Sequence, residues 1–238
     1  MTLRRQLLTS NNNLIDIVSD DVAAEAHFNN PANYADVVLN QINQDRFYDQ
    51  IFEGEENITV LDIGGNIGLF SLYIHDKAAA VYTLEPTPSH FHILQQLTES
   101  YDNIHPINIA VHNEDTAIDF YISDENSTMN SSVNKYGTKV EVQARTIASV
   151  IAELGLSHVD FIKCDIEGSE MSALTDVTVG DVKDIVDSWF IKVHATDTDT
   201  LKGLNSLLHN RAQLISIFEK HGYSAQILRD DSLYIYKE

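Results

Sequence analysis

Val60-Leu61-Asp62-Ile63-Gly64-Gly65-Asn66-Ile67-Gly68-Leu69-Phe70-Ser71-Leu72-Tyr73 decides the fold of this chain. Ile58–Asp62 is an apolar, β-branched run of strand length. It stops at a glycine-dense turn, and apolar Ile67, Leu69, Phe70 and Tyr73 then follow at helical spacing. A strand feeding a glycine turn and a helix is how α/β proteins bring backbone close to a nucleotide-like ligand. Gly64 and Gly68 permit tight turning and close approach, and Asp62 ends the strand as an acceptor facing that ligand.

The spacing argues against a dinucleotide fingerprint. G-x-G-x-x-G aligns only with Ile63, Gly65 and Gly68, so its first glycine is missing. The pattern present is D-x-G-x-N-x-G, the form of S-adenosylmethionine (SAM) methyltransferases. Alone, such a turn equally suits a strand–turn–helix unit without ligand. The next strand separates the two. Ala79–Leu84 reads as that strand, closing on Glu85-Pro86. An acidic residue roughly 20 positions past the turn accepts hydrogen bonds from ribose hydroxyls. The plain alternative for Glu85 is a solvated carboxylate capping the next helix; coupled to the turn at this spacing, the ribose reading prevails.

LDIGGNIGLFSLY, then LEPTPSHFHIL, then NIAV, then VDFIKCDIEGSEMSAL, resembles the FkbM-type family of SAM-dependent methyltransferases, in order from about Ile58 to the C-terminus. The most specific pieces are the turn and Lys163-Cys164-Asp165-Ile166-Glu167-Gly168-Ser169-Glu170, which matches the family's K-x-D-x-E-G-x-E. Gly65 replaces a usual alanine, a change expected to be harmless or helpful to close approach. Lys192 stands where many members carry glutamate. The resemblance implies a Rossmann-like class I methyltransferase fold: α/β, a mostly parallel seven-stranded sheet with a closing antiparallel C-terminal hairpin. It implies SAM as cofactor, S-adenosylhomocysteine as product, and a cofactor site of Asp62, Gly64, Gly65, Asn66, Gly68, Glu85, Pro86, Ala110, Val111 and Asp165, with Ala110 and Val111 flanking the adenine. The implied acceptor is a hydroxyl on a small molecule or carbohydrate.

Composition is compatible. The 238 residues suit one enzyme domain with a sizeable core, and 43% hydrophobic content is ordinary for a globular chain. The net charge of −21 argues against nucleic acid or an anionic membrane as partner, because phosphate binding needs basic patches. Acidity is read as solubility or salt adaptation. Cys164, the single cysteine, sits in an apolar strand run and reads as a buried thiol. Arg4 and Arg5 precede polar Thr9–Asn13 rather than a secretory core, and no run reaches transmembrane length, so a cytoplasmic protein is expected. The sequons at Asn57, Asn126 and Asn130 then carry no meaning.

The remaining elements are placed coarsely. Residues 1–57 read as a helical N-terminal extension or cap, clearest at Tyr34–Ile42 and Arg46–Phe52; 58–238 form the methyltransferase domain. Alternating strands and helices make up that domain. Ile104–Val111 is the third strand, Ala117–Ile122 and Thr138–Ala144 an antiparallel excursion, and Ser123–Gly137 a long polar loop of the kind that serves as a surface connection or a lid. Thr146–Gly155 is a helix, Val159–Cys164 and Trp189–His194 the fourth and fifth strands, and Thr200–His221 a long helix. Tyr223–Leu228 and Leu233–Tyr236 close as a hairpin.

Methyl transfer to oxygen is an in-line displacement that needs the reactants held in line and water excluded. A hydroxyl acceptor must also lose a proton, to a base or through a metal that acidifies it. Acceptors in open α/β sheets sit at the carboxyl ends of strands, which makes Asp165, Glu167 and His194 the catalytic candidates. Asp165 and Glu167, two apart in extended backbone, would point the same way. His194 is the candidate base, set against a purely structural role pinning the sheet rim. Ser169 is read as a helix N-cap, with Glu170 favouring the positive helix end. His90 and His92 would diverge on a helix. A divalent ion on Asp165, Glu167 and His194, with Asp197 or Asp199 nearby, is the less favoured arrangement, since acidic residues are frequent here; no metal is expected. A SAM-binding protein without turnover and an N-methyltransferase are the alternatives. An NAD oxidoreductase is disfavoured by Ile63 and by the closing hairpin.

Overall fold

The structure, a computed structural model, describes residues 3–8, 14–19, 47–122, 130, 132–133, 137–196 and 200–238. Two compact units divide the chain, Met1–Asn108 and Ile109–Glu238.

The first unit opens with β1 (Leu3–Leu8) paired antiparallel to β2 (Leu14–Ser19), Leu8 opposite Leu14. Strands here correct the expectation of an all-helical N-terminal segment. The run Leu14-Ile15-Asp16-Ile17-Val18 is rich in β-branched side chains, which favour a pleated surface over a helix. The helix expected at Tyr34–Ile42 lies outside the described residues. That expected at Arg46–Phe52 is α1 (Phe47–Ile51). It does not stand alone: the Tyr48 ring packs on Phe70 at 4.9 Å and Tyr73 at 6.0 Å, both in α2 (Leu69–Ile74). Tyr73 OH also donates to Asp49. All six residues of α2 are buried, as the sequence pattern requires of a helix pressed onto a sheet.

β3 (Ile58–Ile63), β4 (Ala78–Leu84) and β5 (Ile104–Ile107) are parallel, with β4 in the middle and α3 (Pro88–Thr98) crossing between β4 and β5. Val60 and Leu61 are both fully buried, so β3 is covered on both faces, the mark of a parallel strand between helical layers. The expected third strand divides. It ends at Ile107, because Asn108 turns away and its Nδ2 donates to the carbonyls of Glu85 at 2.8 Å and Pro86 at 3.2 Å.

In the second unit β6 (Ala110–Val111), the other part of that run, pairs with β8 (Thr138–Arg145). β7 (Thr116–Ile122) completes this three-stranded sheet antiparallel to β8, the expected excursion. Ala110 packs with Phe120, Val142 and Ala144 in its small core. Of the polar loop between β7 and β8, only Asn130, Ser132, Val133 and Gly137 are described residues. After α4 (Ile147–Glu153), capped by Thr146, come β9 (Val159–Cys164), α5 (Glu170–Ala173), α6 (Asp176–Val182) and β10 (Val186–Lys192). β10 is parallel to β9. The long helix α7 (Thr200–Lys220) leads to β11 (Ser224–Arg229) and β12 (Ser232–Tyr236). β12 runs antiparallel to β10, and β11 to β12. Trp189 of β10 meets the Phe218 ring edge-on at 5.1 Å, joining α7 to this sheet.

Strands β3, β4, β5, β9, β10, β11 and β12 make up the mostly parallel seven-stranded sheet with its closing antiparallel hairpin. No described helix is long and apolar enough to cross a membrane.

Candidate functional site

In the first unit the candidate residues gather where β3 and β4 end. Gly64 N and Gly65 N both donate to the Leu84 carbonyl at 3.0 Å, tying the turn to the end of β4. Asn66 is left-handed at φ 51°, and its Oδ1 accepts the next amide, Ile67 N, at 2.8 Å. Gly68 at φ 89° starts α2, a conformation that an L side chain resists.

Glu85 is the hub. Its Oε2 accepts Asn66 N at 2.9 Å and its Oε1 accepts Thr87 N at 2.8 Å. Burial pushes its carboxyl up, while the Thr87 and Asn66 hydrogen bonds pull the other way. A carboxylate oxygen has two acceptor positions, and Asn66 fills one on Oε2. The remaining position suits a ribose hydroxyl as donor, so this acceptor fits the nucleoside end of SAM. Pro86 follows directly, its carbonyl held by Asn108.

Asp62 behaves differently from a ligand-facing acceptor. It is fully buried, and Oδ2 accepts Ser71 Oγ of α2 at 2.7 Å. Ser71 Oγ also lies 2.6 Å from Thr83 Oγ1 of β4. Asp62 thus ties the strand end to α2 and, through Ser71, to β4. Gly65 gains its meaning here as well. A Cβ on Gly65 would lie 2.1 Å from Thr83 Cγ2 and 3.2 Å from Asp62 Oδ2. The close approach that this glycine permits is to the protein's own β4.

The second unit brings Asp165, Glu167 and His194 together. Asp165 follows β9, but the backbone is not extended beyond it. Glu167 is left-handed at φ 51° and Gly168 follows at φ 97°. A turn, rather than strand alternation, aims both carboxylates at His194. His194 itself lies beyond the end of β10, which stops at Lys192, and is not the strand residue expected. Val193 N donates to the Asp231 carbonyl at 2.7 Å, and Asn210 Nδ2 of α7 donates to the His194 carbonyl at 3.0 Å. These two bonds anchor the histidine. Its Nε2 lies 3.4 Å from Glu167 Oε2 and 3.6 Å from Asp165 Oδ1.

Glu170 is the member of this cluster that sequence reading misses. It was assigned to the helix dipole, yet its side chain is only 2% exposed. Its Oε1 accepts Ile166 N and Gly168 N, each at 3.2 Å, and meets His194 Nδ1 at 2.8 Å. The available signal was its place as last residue of the K-x-D-x-E-G-x-E run. Ser169 holds the N-cap position without a side-chain capping bond; its hydroxyl lies 2.7 Å from Ser132 Oγ instead.

Electrostatics follow from this crowding. Burial works to lower the His194 pKa, but the Glu170 hydrogen bond and charge, with Asp165 and Glu167, raise it to about 9. Burial, reinforced by Asp165, lifts Glu167 to about 7. Burial also works to raise Asp165, but Lys192, Lys163 and His194 hold it below its ordinary value. Lys192, where the family often has glutamate, lies with Nζ 3.9 Å from Asp165 Oδ2, and that carboxylate raises its pKa. At neutral pH His194 holds a proton, and must lose it before it can accept one from an acceptor. Cys164 is buried and its thiol is pushed well up, an inert group. His90 is buried on α3 and His92 exposed, so the pair diverges as expected.

The Methyltransferase FkbM domain family matches residues 62–225, more than half of the chain. This chain belongs to that family. Methyltransferase 1 of Beauveria bassiana (strain ARSEF 2860) is 25% identical over 184 residues, which cover 66% of this chain and 72% of that relative. Methyltransferase sdnD of Sordaria araneosa is 24% identical over 179 residues, covering 60% and 69%. The crystal structure of methyltransferase FkbM from Methylobacillus flagellatus KT has a TM-score of 0.50 at 20% identity; the likeness covers 80% of this chain and 46% of that one. As an FkbM methyltransferase the chain has the class I methyltransferase fold and takes SAM as cofactor.

Proposed function

We propose that this FkbM methyltransferase transfers the SAM methyl group to a hydroxyl oxygen of a small molecule or sugar in the cytoplasm. Asp62, Gly64, Gly65, Asn66, Gly68, Glu85 and Pro86 shape the cofactor's place, and the family resemblance alone assigns Ala110 and Val111 to the adenine. Glu85 binds the ribose, and Asp62 holds the turn. Bound SAM supplies a methyl group already activated by its sulfonium charge. The chain's own work is then positioning, exclusion of water and removal of the acceptor's proton.

The observation that supports an oxygen acceptor is the set of two carboxylates around His194 Nε2. Asp165 and Glu167 orient the acceptor hydroxyl as hydrogen-bond acceptors, and His194, once it has given up its own proton, takes the hydroxyl's. An amine acceptor, nucleophilic once neutral, needs less of this apparatus.

The test begins with calorimetric titration of the full chain with S-adenosylhomocysteine, NAD serving as comparator. One saturable site for the former alone is expected. The second step is incubation with SAM and a panel of sugars, polyols, phenols and amines, with products read by mass spectrometry. Methyl ethers are expected. Methylated amines alone would replace the oxygen reading. Binding without any product across the panel would make the chain a SAM-binding protein without turnover.

A further inference from the structure

The geometry points to a binding site for one divalent first-row transition ion, of the Mn²⁺, Fe²⁺, Co²⁺ or Zn²⁺ class, on Asp165, Glu167 and His194, with Glu170 as the positioning residue behind the histidine. This replaces the expectation of no metal. One ligand atom from each of the three residues lies within 4.8 Å of the other two. Chance clustering of acids does not account for the histidine. Its Nδ1 is taken by Glu170 Oε1 at 2.8 Å, which leaves Nε2 as the ligand atom and fixes the ring that carries it. A carboxylate behind the far nitrogen is the common support of a metal-binding imidazole.

Among the described residues, two atoms that face the gap lack hydrogen-bond partners: Asp165 Oδ1 and His194 Nε2, both of them buried atoms. They lie 3.6 Å apart, and Nε2 lies 3.4 Å from Glu167 Oε2, too long for good hydrogen bonds. The same spacings suit an ion. Donors about 2.1 Å from a common centre and separated by those spacings subtend angles of about 110–120°, near tetrahedral. Lys192 stands by the other oxygen, Asp165 Oδ2, and so leaves Oδ1 available. One imidazole nitrogen with two carboxylate oxygens favours the named ions over Mg²⁺ or Ca²⁺, which prefer oxygen alone. With an ion bound, His194 Nε2 would be a ligand and not the base. Acidification of the acceptor hydroxyl by the ion would then stand in place of proton transfer to the histidine. That role rests on the proposed function, and the ion's binding does not.

A second group supplies an internal control. His158 Nε2 lies 3.3 Å from Asp160 Oδ1 and 3.1 Å from Asp187 Oδ2. Its histidine is half-exposed, and Lys237 Nζ lies 3.4 Å from Asp187 Oδ1.

The experiment is Mn²⁺ titration of the metal-free full chain, following loss of the free-ion paramagnetic resonance signal. Mg²⁺ serves as competitor, and the folding of each variant is checked by near-ultraviolet circular dichroism. One site per chain is expected, resistant to excess Mg²⁺. It should vanish in His194→Ala and Asp165→Asn, weaken ~10–100-fold in Glu170→Gln, and persist in His158→Ala. Pulsed resonance on the unaltered Mn²⁺-loaded chain should show one coupled imidazole nitrogen, a readout that needs no variant. Absence of a saturable site, absence of the imidazole coupling, survival of the site in folded His194→Ala, or its loss in His158→Ala would each overturn the assignment. S-adenosylhomocysteine titration of the same samples separates the two proposals. Cofactor binding without the ion site removes this inference alone, and the ion site without cofactor binding removes the proposed function alone.

Discussion

Glu85 Oε2 accepts the backbone N–H of Asn66, 19 residues earlier in the chain, at 2.9 Å. One carboxylate thereby closes the glycine turn, and in the proposed function its second lone pair would take a cofactor hydroxyl. Glu85→Gln would set an amide NH₂ against one of the two N–H groups that now donate to it. Calorimetry should show S-adenosylhomocysteine binding weakened by ~1–3 kcal/mol, the cost of unpaired buried polar groups. Unchanged affinity in a folded Glu85→Gln chain would remove Glu85 from the cofactor site.

Gly65 and Thr83 form a steric pair. Gly65→Ala places a methyl against Thr83 Cγ2, and overpacking a filled core costs ~1–3 kcal/mol. Urea unfolding should record that loss. Thr83→Ser in the same chain removes Cγ2, keeps the hydroxyl that meets Ser71, and should restore most of the stability. Equal stability of Gly65→Ala and the parent would contradict the contact.

In the proposed function, His194→Ala removes the acceptor's base. Turnover should fall ~10²–10⁴-fold while S-adenosylhomocysteine affinity stays nearly unchanged. A parallel loss of cofactor affinity would return His194 to a structural role at the end of β10.

Protein kept metal-free with a chelator should lose stability as pH rises. Folding lifts His194 from its ordinary 6.5 to about 9 and Glu167 from 4.5 to about 7, so at these two groups the folded chain binds more protons than the unfolded chain. His75, lowered by burial, works the other way near neutrality. The Glu167 share is complete below about 4.5 and lost as pH passes 7; the His194 share is complete below about 6.5 and lost as pH passes 9. Urea midpoints at pH 5, 7 and 9 should decline in that order. His194→Gln should flatten the part above neutrality, and an undiminished slope in that variant would place the proton elsewhere.

Local pattern made the first turn and its neighbours legible. β-Branched residues up to Asp62, the glycine spacing and the acid at Glu85 are all read within about 30 residues, the span of one βαβ unit. The closing hairpin was equally plain from Gly222 and the two apolar runs after it. The failures were of two kinds. Contacts between distant segments leave no local trace: nothing around Gly65 names Thr83, and nothing around Glu170 names His194. Local ambiguity was the second. Ser169-Glu170 satisfies the grammar of a helix start, so a buried acceptor looked like a dipole partner. The short run at Leu14–Ser19 carries too few residues for its period to separate strand from helix.

Glu170 Oε1 gathers Ile166 N, Gly168 N and His194 Nδ1 on one atom. Any exchange at the far side of the imidazole, proton for ion or one ion for another, alters the polarity of Nδ1 and so the share of charge left for the two amides. Ile166 and Gly168 are in effect an antenna wired to the histidine. Their amide resonances should shift together whenever Nε2 changes partner, so an isotope-labelled chain would announce its own occupancy with no tag on the ligand.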